Sequence, residues 1–222
     1  MTAHTHVFTA SRPAHLGWRI AVGGMAFTAA MLGAAMAHAA DAPYKLGTTI
    51  PASLTFSDAA GKVRTFGEFR GSPVVLEWTN PGCPFVKKHY ESGNMTKLQA
   101  DAVAGGTSWI TVNSGAAGKQ GYLDPKTAEA EAKKLGYKSS VVVPDAEGKL
   151  GRAFGAETTP HMYVLDKDGK LVYMGAIDSI PSFDKADIAK ADNYVTKALT
   201  EVKAGKAVTT AQTKAYGCSV KY

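Results

Sequence analysis

The chain has 222 residues, 45% of them hydrophobic, with 25 basic and 19 acidic side chains and a formal net charge of +6. The lysines are scattered along the chain, which excludes a concentrated nucleic-acid patch. Two cysteines, Cys83 and Cys218, are too few for a disulfide scaffold.

The first 39 residues read as a signal peptide. Arg12 and Arg19 form a basic start, Ile20 to Ala37 is uncharged, and Ala37-His38-Ala39 is a small-x-small cleavage site. An uncleaved anchor is the alternative, because a run of about 18 uncharged residues can just span a bilayer. Cleavage after Ala39 leaves 40–222 as one domain, with 23 basic against 19 acidic residues and net charge +4. That length buries a real core. Export implies a periplasmic or secreted protein, an oxidising setting for thiols, and no stable membrane association once the leader is gone. His4, His6, His15 and His38 leave with it, so only His89 and His161 remain.

Taken in order, Thr49 to Phe56, a turn at Asp58 to Lys62, and Val63 to Phe66 predict a hairpin. Val74 to Trp78 predicts a central strand buried on both faces. After the turn-forming Asn80-Pro81-Gly82, Pro84 suits a first helical position. The helix is expected to break or bend at Gly93-Asn94 and resume through Val103. Trp109 to Val112 reads as a strand. Ser114 to Gly121 is Gly-rich but lacks the ending of a phosphate loop. Asp124-Pro125 opens a helix that stops at Gly136. Val141 to Val143 is a strand, and Asp145 to Phe154 holds a turn and a short helix. Met162 to Leu165 and Leu171 to Ala176 form a second hairpin. A last helix is predicted from about Asp187 to Ala204, followed by a patternless tail that carries Cys218. Strands alternating with helices predict an α/β fold, a mixed sheet flanked by helices.

The chemistry centres on Cys83. A strand, a tight turn and then a helix put its thiol at a helix amino end. There the partial positive charge and free N–H groups favour thiolate over thiol. Glu77, an acid inside an apolar run, is a candidate to relay a proton to or from Cys83 if buried with a raised pKa. His89, nearly two helical turns after Cys83, reads as a packing residue. Trp78 and Phe85 are expected to pack near the thiol. Two cysteines and two dispersed histidines make poor zinc ligands, and no metal is expected.

Several segments resemble thioredoxin-fold redoxins, and more closely the peroxiredoxin-like branch of the alkyl hydroperoxide reductase/thiol-specific antioxidant family. Gly47, Pro51, Leu54, Asp58 and Gly61-Lys62 resemble the family's amino-terminal hairpin. Asn80-Pro81-Gly82-Cys83-Pro84-Phe85-Val86-Lys87 is similar to its N-x-x-C-P-[YF]-V-K motif. Thr159-Pro160 resembles the cis-proline loop, and Gly217-Cys218-Ser219-Val220-Lys221-Tyr222 resembles the branch's ending. The resemblance implies a thioredoxin-like sheet with an N-terminal β-hairpin and a C-terminal tail. It also implies a cis Pro160, with the Thr159 backbone offered to an incoming sulfur and His161 close to Cys83. The chain departs from relatives at Val86, where a thioredoxin has its second cysteine. Leu76 and Asn80 replace a peroxiredoxin's proline and threonine. Pro160 stands at about the place of the peroxidase arginine, with Arg70 and Arg152 as spatial substitutes.

These readings converge on an exported thiol-dependent oxidoreductase that needs no bound cofactor. Cys83, with Asn80 and Trp78 close by, attacks a peroxide or disulfide substrate. Cys218, on a mobile tail, or an external thiol then resolves it, and a thioredoxin-like thiol reductant restores the pair. The alternative is a non-catalytic binding module of the same fold, with Cys83–Cys218 as a permanent disulfide.

Overall fold

The computed structural model describes residues 42–222, so the expected leader, 1–39, lies outside the described residues. In chain order the elements are β1 (Thr55–Ser57), β2 (Val63–Thr65), a single 3-10 turn (Phe66–Phe69), β3 (Val74–Trp78), α1 (Pro84–Glu91), α2 (Asn94–Ala104) and β4 (Ser108–Asn113). They continue with α3 (Pro125–Leu135), β5 (Val141–Pro144), α4 (Lys149–Phe154), β6 (Thr158–Thr159), β7 (His161–Leu165) and β8 (Leu171–Gly175). A second 3-10 stretch (Lys185–Lys190), α5 (Tyr194–Lys203) and β9 (Cys218–Ser219) complete the chain.

The central sheet has the order β5-β4-β3-β7-β8. β3 runs parallel to β4, β4 runs parallel to β5, and β7 is antiparallel to both β3 and β8. β3 sits in the middle and all five of its residues are buried, as its unbroken apolar run requires. Its side chains alternate between two cores. Val75 joins Met95, Trp109, Met162, Val195 and Leu199 beneath the helices. Leu76 and Trp78 join Phe56, Phe66, Phe154 and Tyr163 beneath the N-terminal hairpin and α4. Each such side chain contributes about 1.5–3 kcal/mol by leaving water. The architecture is the thioredoxin-like mixed sheet that the sequence implied.

Helix boundaries follow local chemistry. The predicted break is real: α1 ends before Gly93, which takes φ +76 and precedes α2. The Asp124 carboxylate accepts from Thr127 N–H at 2.8 Å to open α3, and Gly136 closes it in the left-handed region. The last helix differs from expectation. Asn193 accepts from Thr196 N–H at 2.9 Å and starts α5 there. Asp192 N–H donates to Ser179 Oγ and Tyr194 N–H to the Ile177 carbonyl, so 191–193 is held against the segment after β8 instead of continuing a helix. The strand expected from Thr49 is also shorter, confined to Thr55–Ser57.

The tail is not patternless in space. Met174 N–H donates to the Ala211 carbonyl at 3.0 Å, and Thr213 N–H donates back to Met174 at 3.1 Å. β9 then pairs antiparallel with β6. The tail therefore runs along an existing sheet edge and across the loop before Pro160, held by backbone pairing that needs no side-chain periodicity.

Candidate active site

Cys83 stands at the amino end of α1 with extended geometry (φ −82, ψ 123), and Pro84 is the first helical residue. The turn before it is held from inside. Asn80 Oδ1 accepts from Gly82 N–H at 2.8 Å, and Cys83 N–H donates to the Asn80 carbonyl at 3.0 Å. The Asn80 amide also donates to the Gln120 carbonyl and side chain, both at 3.3 Å. Asn113 Nδ2 donates to the carbonyls of Thr79 and Gly121 at 3.1 and 3.0 Å. A Cβ on Gly82 would collide with Gln120, and one on Gly121 (φ +82) would collide with Asn80. The Gly-rich loop that lacked a phosphate-binding ending is thus the backing of the Cys83 turn. Its glycines were visible in the sequence; what they approach was not.

Facing Cys83 is the loop at the start of β7. The Thr159–Pro160 peptide is cis, and the Cys83 thiol donates to the Thr159 carbonyl at 3.0 Å. β9 pairs Cys218 directly with Thr159. The Thr159 hydroxyl donates to the Cys218 carbonyl at 3.4 Å. Gly217 makes this approach possible: it holds φ +131, and a Cβ there would collide with the Thr159 carbonyl. Cys83 is fully buried, Cys218 is half-buried, and both are free thiols.

The two thiols titrate in opposite directions. Burial pushes the Cys83 thiol up, but the Cys218 thiol, the N–H groups of Val86 and Cys218, and the Thr159 hydroxyl outweigh it. The net direction for Cys83 is down. Cys218 is pushed up to about 11, by burial first and then by its hydrogen bond to Cys83 and the charge there. The pair is polarised: the surroundings favour the thiolate at Cys83 over one at Cys218.

Glu77 is fully buried, and burial raises its carboxyl above the usual range. It accepts from Tyr90 OH at 2.6 Å, from Gln99 Nε2 and Trp109 Nε1 at 2.9 Å each, and from Thr111 Oγ1 at 3.3 Å. Cys83 is not among these partners. The acid joins β3, α1, α2 and β4.

Trp78 and His161 depart from the expectation that they lie against the thiol. The Trp78 indole lies in the opposite core, 5.0 Å from the Tyr163 ring, and donates to Ser114 Oγ at 3.0 Å. Ser114 in turn donates to buried Asp145 at 2.6 Å. The His161 ring lies on that same side, 4.5 Å from Tyr163, with Nδ1 3.2 Å from the Tyr163 hydroxyl. Strand alternation is the cause, since Trp78 pairs across with His161 while Glu77 and Met162 face the other way. Burial lowers His161 to about 4, so it is neutral near pH 7. Phe85 does pack against the core cluster that contains Cys83.

The three arginines among the described residues are engaged elsewhere. Arg64 pairs with Asp58 at 2.9 Å, Arg70 donates to the Ile50 carbonyl, and Arg152 lies 4.5 Å over the Tyr222 ring. Arg70 and Arg152 therefore do not stand in for a peroxidase arginine at Cys83. Among the described residues no three His, Cys, Asp or Glu side chains converge as a metal site requires.

Comparison with known proteins agrees with this geometry. The Redoxin family profile matches residues 45–195. The fold is similar to that of a hypothetical protein from Sinorhizobium meliloti, at TM-score 0.67 and 28% identity, covering 81% of this chain and 95% of that one. It is also similar to an uncharacterized conserved protein from Geobacillus kaustophilus, at TM-score 0.65 and 25% identity, covering 81% of this chain and 93% of that one. We found no match among curated proteins. With a profile matched over most of its length, and a cysteine at the helix start facing a cis-proline loop, this chain belongs to the redoxin family.

Proposed function

We propose that the protein is an exported dithiol–disulfide oxidoreductase in which Cys83 attacks and Cys218 resolves. The observation that carries this reading is the pairing of Cys218 with Thr159, which sets the two polarised thiols against each other. The Cys83 thiolate attacks a disulfide R–S–S–R′, forms Cys83–S–S–R and releases R′S⁻. Cys218 loses its proton and attacks Cys83 sulfur, closing the Cys83–Cys218 disulfide and releasing RS⁻. A thiol reductant, itself a dithiol, returns both cysteines to thiols and becomes a disulfide. Thr159 and cis Pro160 shape the surface on which the incoming sulfur lies, and Asn80 holds the turn that presents Cys83.

A second reading, peroxide reduction, draws support from the full burial of Cys83, which favours a small oxidant. There the thiolate takes one peroxide oxygen to give a sulfenic acid and water, and Cys218 condenses with it, releasing a second water. The engagement of Arg64, Arg70 and Arg152 elsewhere favours disulfide exchange over this reaction.

The deciding experiment treats the full chain, expressed with its leader, with glutathione disulfide or hydrogen peroxide and follows intact mass. We expect wild type to end as the internal disulfide, Cys218→Ser to stop with glutathione on Cys83, and Cys83→Ser to form no rapid adduct. Faster loss of peroxide than of the disulfide would move the assignment to the peroxidase. An unreactive Cys83 would overturn both. The same spectra test removal of the leader, since cleavage after Ala39 gives a mature chain beginning at Ala40.

A further inference from the structure

Cys83 is fully buried, yet a disulfide must reach it, and the tail lies beside it: Cys218 pairs with Thr159, and Tyr216 and Cys218 pack against the cluster that contains Cys83. The tail crosses the site as a strap fastened on both sides of Cys218. On one side the Tyr216 hydroxyl donates to Asp178 Oδ1 at 2.5 Å and lies 3.5 Å from His89 Nε2. The Tyr216 ring packs edge-on against Phe85, two residues after Cys83, at 5.7 Å. Asp178 is itself held within the core, with Lys88 Nζ 3.9 Å and His89 Nε2 3.8 Å from Oδ2 and Ile180 N–H donating to Oδ1 at 3.1 Å.

On the other side the Tyr222 hydroxyl donates to the Ala156 carbonyl at 2.7 Å. Its ring lies under the Arg152 guanidinium at 4.5 Å, in a hollow that a Cβ on Gly148 or Gly151 would fill. Val220 N–H donates to the Glu157 carbonyl at 2.9 Å, and the Lys221 carbonyl accepts from Ala116 N–H at 2.8 Å. The fasteners thus reach α1, the segment after β8, the backing loop of the Cys83 turn, and α4 with the residues just beyond it.

We propose that Tyr216 and Tyr222 are positioning residues that set the opening equilibrium of this strap and so govern both half-reactions with opposite sign. Opening exposes Cys83 to the incoming disulfide; closing returns Cys218 to Cys83 sulfur. The strap raises the local concentration of the resolving thiol at the cost of access for the first thiolate. The inference rests on Cys218 being the resolving thiol.

The test uses a chromogenic aryl disulfide, ArS–SAr, in excess over the reduced full chain. Cys83 thiolate displaces one ArS⁻ and forms Cys83–S–SAr. Cys218 thiolate then displaces the second ArS⁻ and closes the internal disulfide. Two electrons pass from the cysteine pair to the reagent, and two protons pass to buffer. The two releases are separate absorbance phases, one for access and one for resolution.

Tyr216→Phe keeps the ring on Phe85 and removes the bond to a buried carboxylate, so we expect roughly tenfold faster access and a resolution phase slower by up to that factor. Tyr222→Phe keeps the ring under Arg152 and loses a neutral bond, so both changes should be about threefold. If Tyr216→Phe perturbs folding, Tyr222→Phe still tests the same opposition of signs. An unchanged access phase in both variants, or two phases that move in the same direction, would overturn the inference while leaving Cys218 as resolver. A wild type that releases only one ArS⁻ would remove the resolving role itself, and the strap proposal with it.

Discussion

Two buried acids lie on either side of α1 and are used differently. Glu77 is closed in by four donors from α1, α2 and β4, all within the core of the domain. Asp178 also takes a tyrosine hydroxyl, but its tyrosine, Tyr216, belongs to the strap and is only partly buried. α1 serves both, with Tyr90 turned to Glu77 and Lys88 and His89 turned to Asp178. The contrast separates a cluster that cannot open without unfolding from one that can release a single segment. The proposed function needs both: a rigid seat for an attacking Cys83 and a releasable hold on a resolving Cys218.

The sharpest break of the comparison is Glu77→Ala. It strands the Tyr90, Gln99 and Trp109 donors without water, so we expect a loss of roughly 4 kcal/mol and a Tm lower by roughly 10 °C. Thermal unfolding reads it, and an unchanged Tm would show that the cluster is not part of the core's stability.

The next effect is pH. Burial lowers both His89 and His161 from an ordinary 6.5 to about 4; at His89, Asp178 opposes this and Lys88 adds to it. The unfolded chain takes up these two protons below about pH 6.5, while the folded chain refuses them until about pH 4. Stability present at pH 7 therefore falls as pH drops through that window and levels below it, by on the order of 3 kcal/mol for each histidine. Glu77 and Asp145, raised by burial, act in the opposite sense, since the folded chain holds their protons longer as pH rises. Urea unfolding at neutral and mildly acidic pH isolates one histidine: His161→Gln should lose less between the two conditions than wild type. An equal loss would refute the assignment.

The smallest pair of changes deletes one hydroxyl from each cluster. Tyr90→Phe should cost about 2 kcal/mol and Tyr216→Phe about 1.4 kcal/mol, the equivalent of the tenfold shift in strap opening, because buried Asp178 keeps Lys88, His89 and the Ile180 N–H beside it. The two should differ more in chemistry than in stability. Tyr90→Phe leaves both aryl-disulfide phases at wild-type rates, while Tyr216→Phe moves them apart. Equal phase changes in the two variants would erase the distinction between core and strap.

Much of the fold was legible in the chain. The unbroken run Val74 to Trp78 marked the central strand, Asp124-Pro125 and Gly136 marked both ends of α3, and Gly93 marked the break after α1. The apolar spacing from Ile188 onward predicted a helix start near Asp187, and the cap at Asn193 came only with the structure. The trade of helix for contacts with Ile177 and Ser179 was decided by tertiary pairing.

The site divides in the same way. Cys83 was identifiable because its chemistry is local: a turn, a proline at the first helical position and a helix start are all adjacent in sequence. Trp78 and His161 were misplaced because proximity in sequence does not say which face of a sheet a side chain takes at its end. The order of residues by itself determined a mixed α/β sheet and the helix-start thiol, since strand burial and helix capping depend on neighbours a few positions apart; that the sheet is a redoxin's came from the resemblance of the Cys83 motif, the Thr159-Pro160 loop and the tail. Only the tertiary structure decided that the tail is an ordered strap, that Gly217 brings it onto Thr159, and that Tyr216 and Tyr222 fasten it. Those contacts join residues far apart in the chain through backbone edges and single hydroxyls, which leave no periodic trace in a sequence.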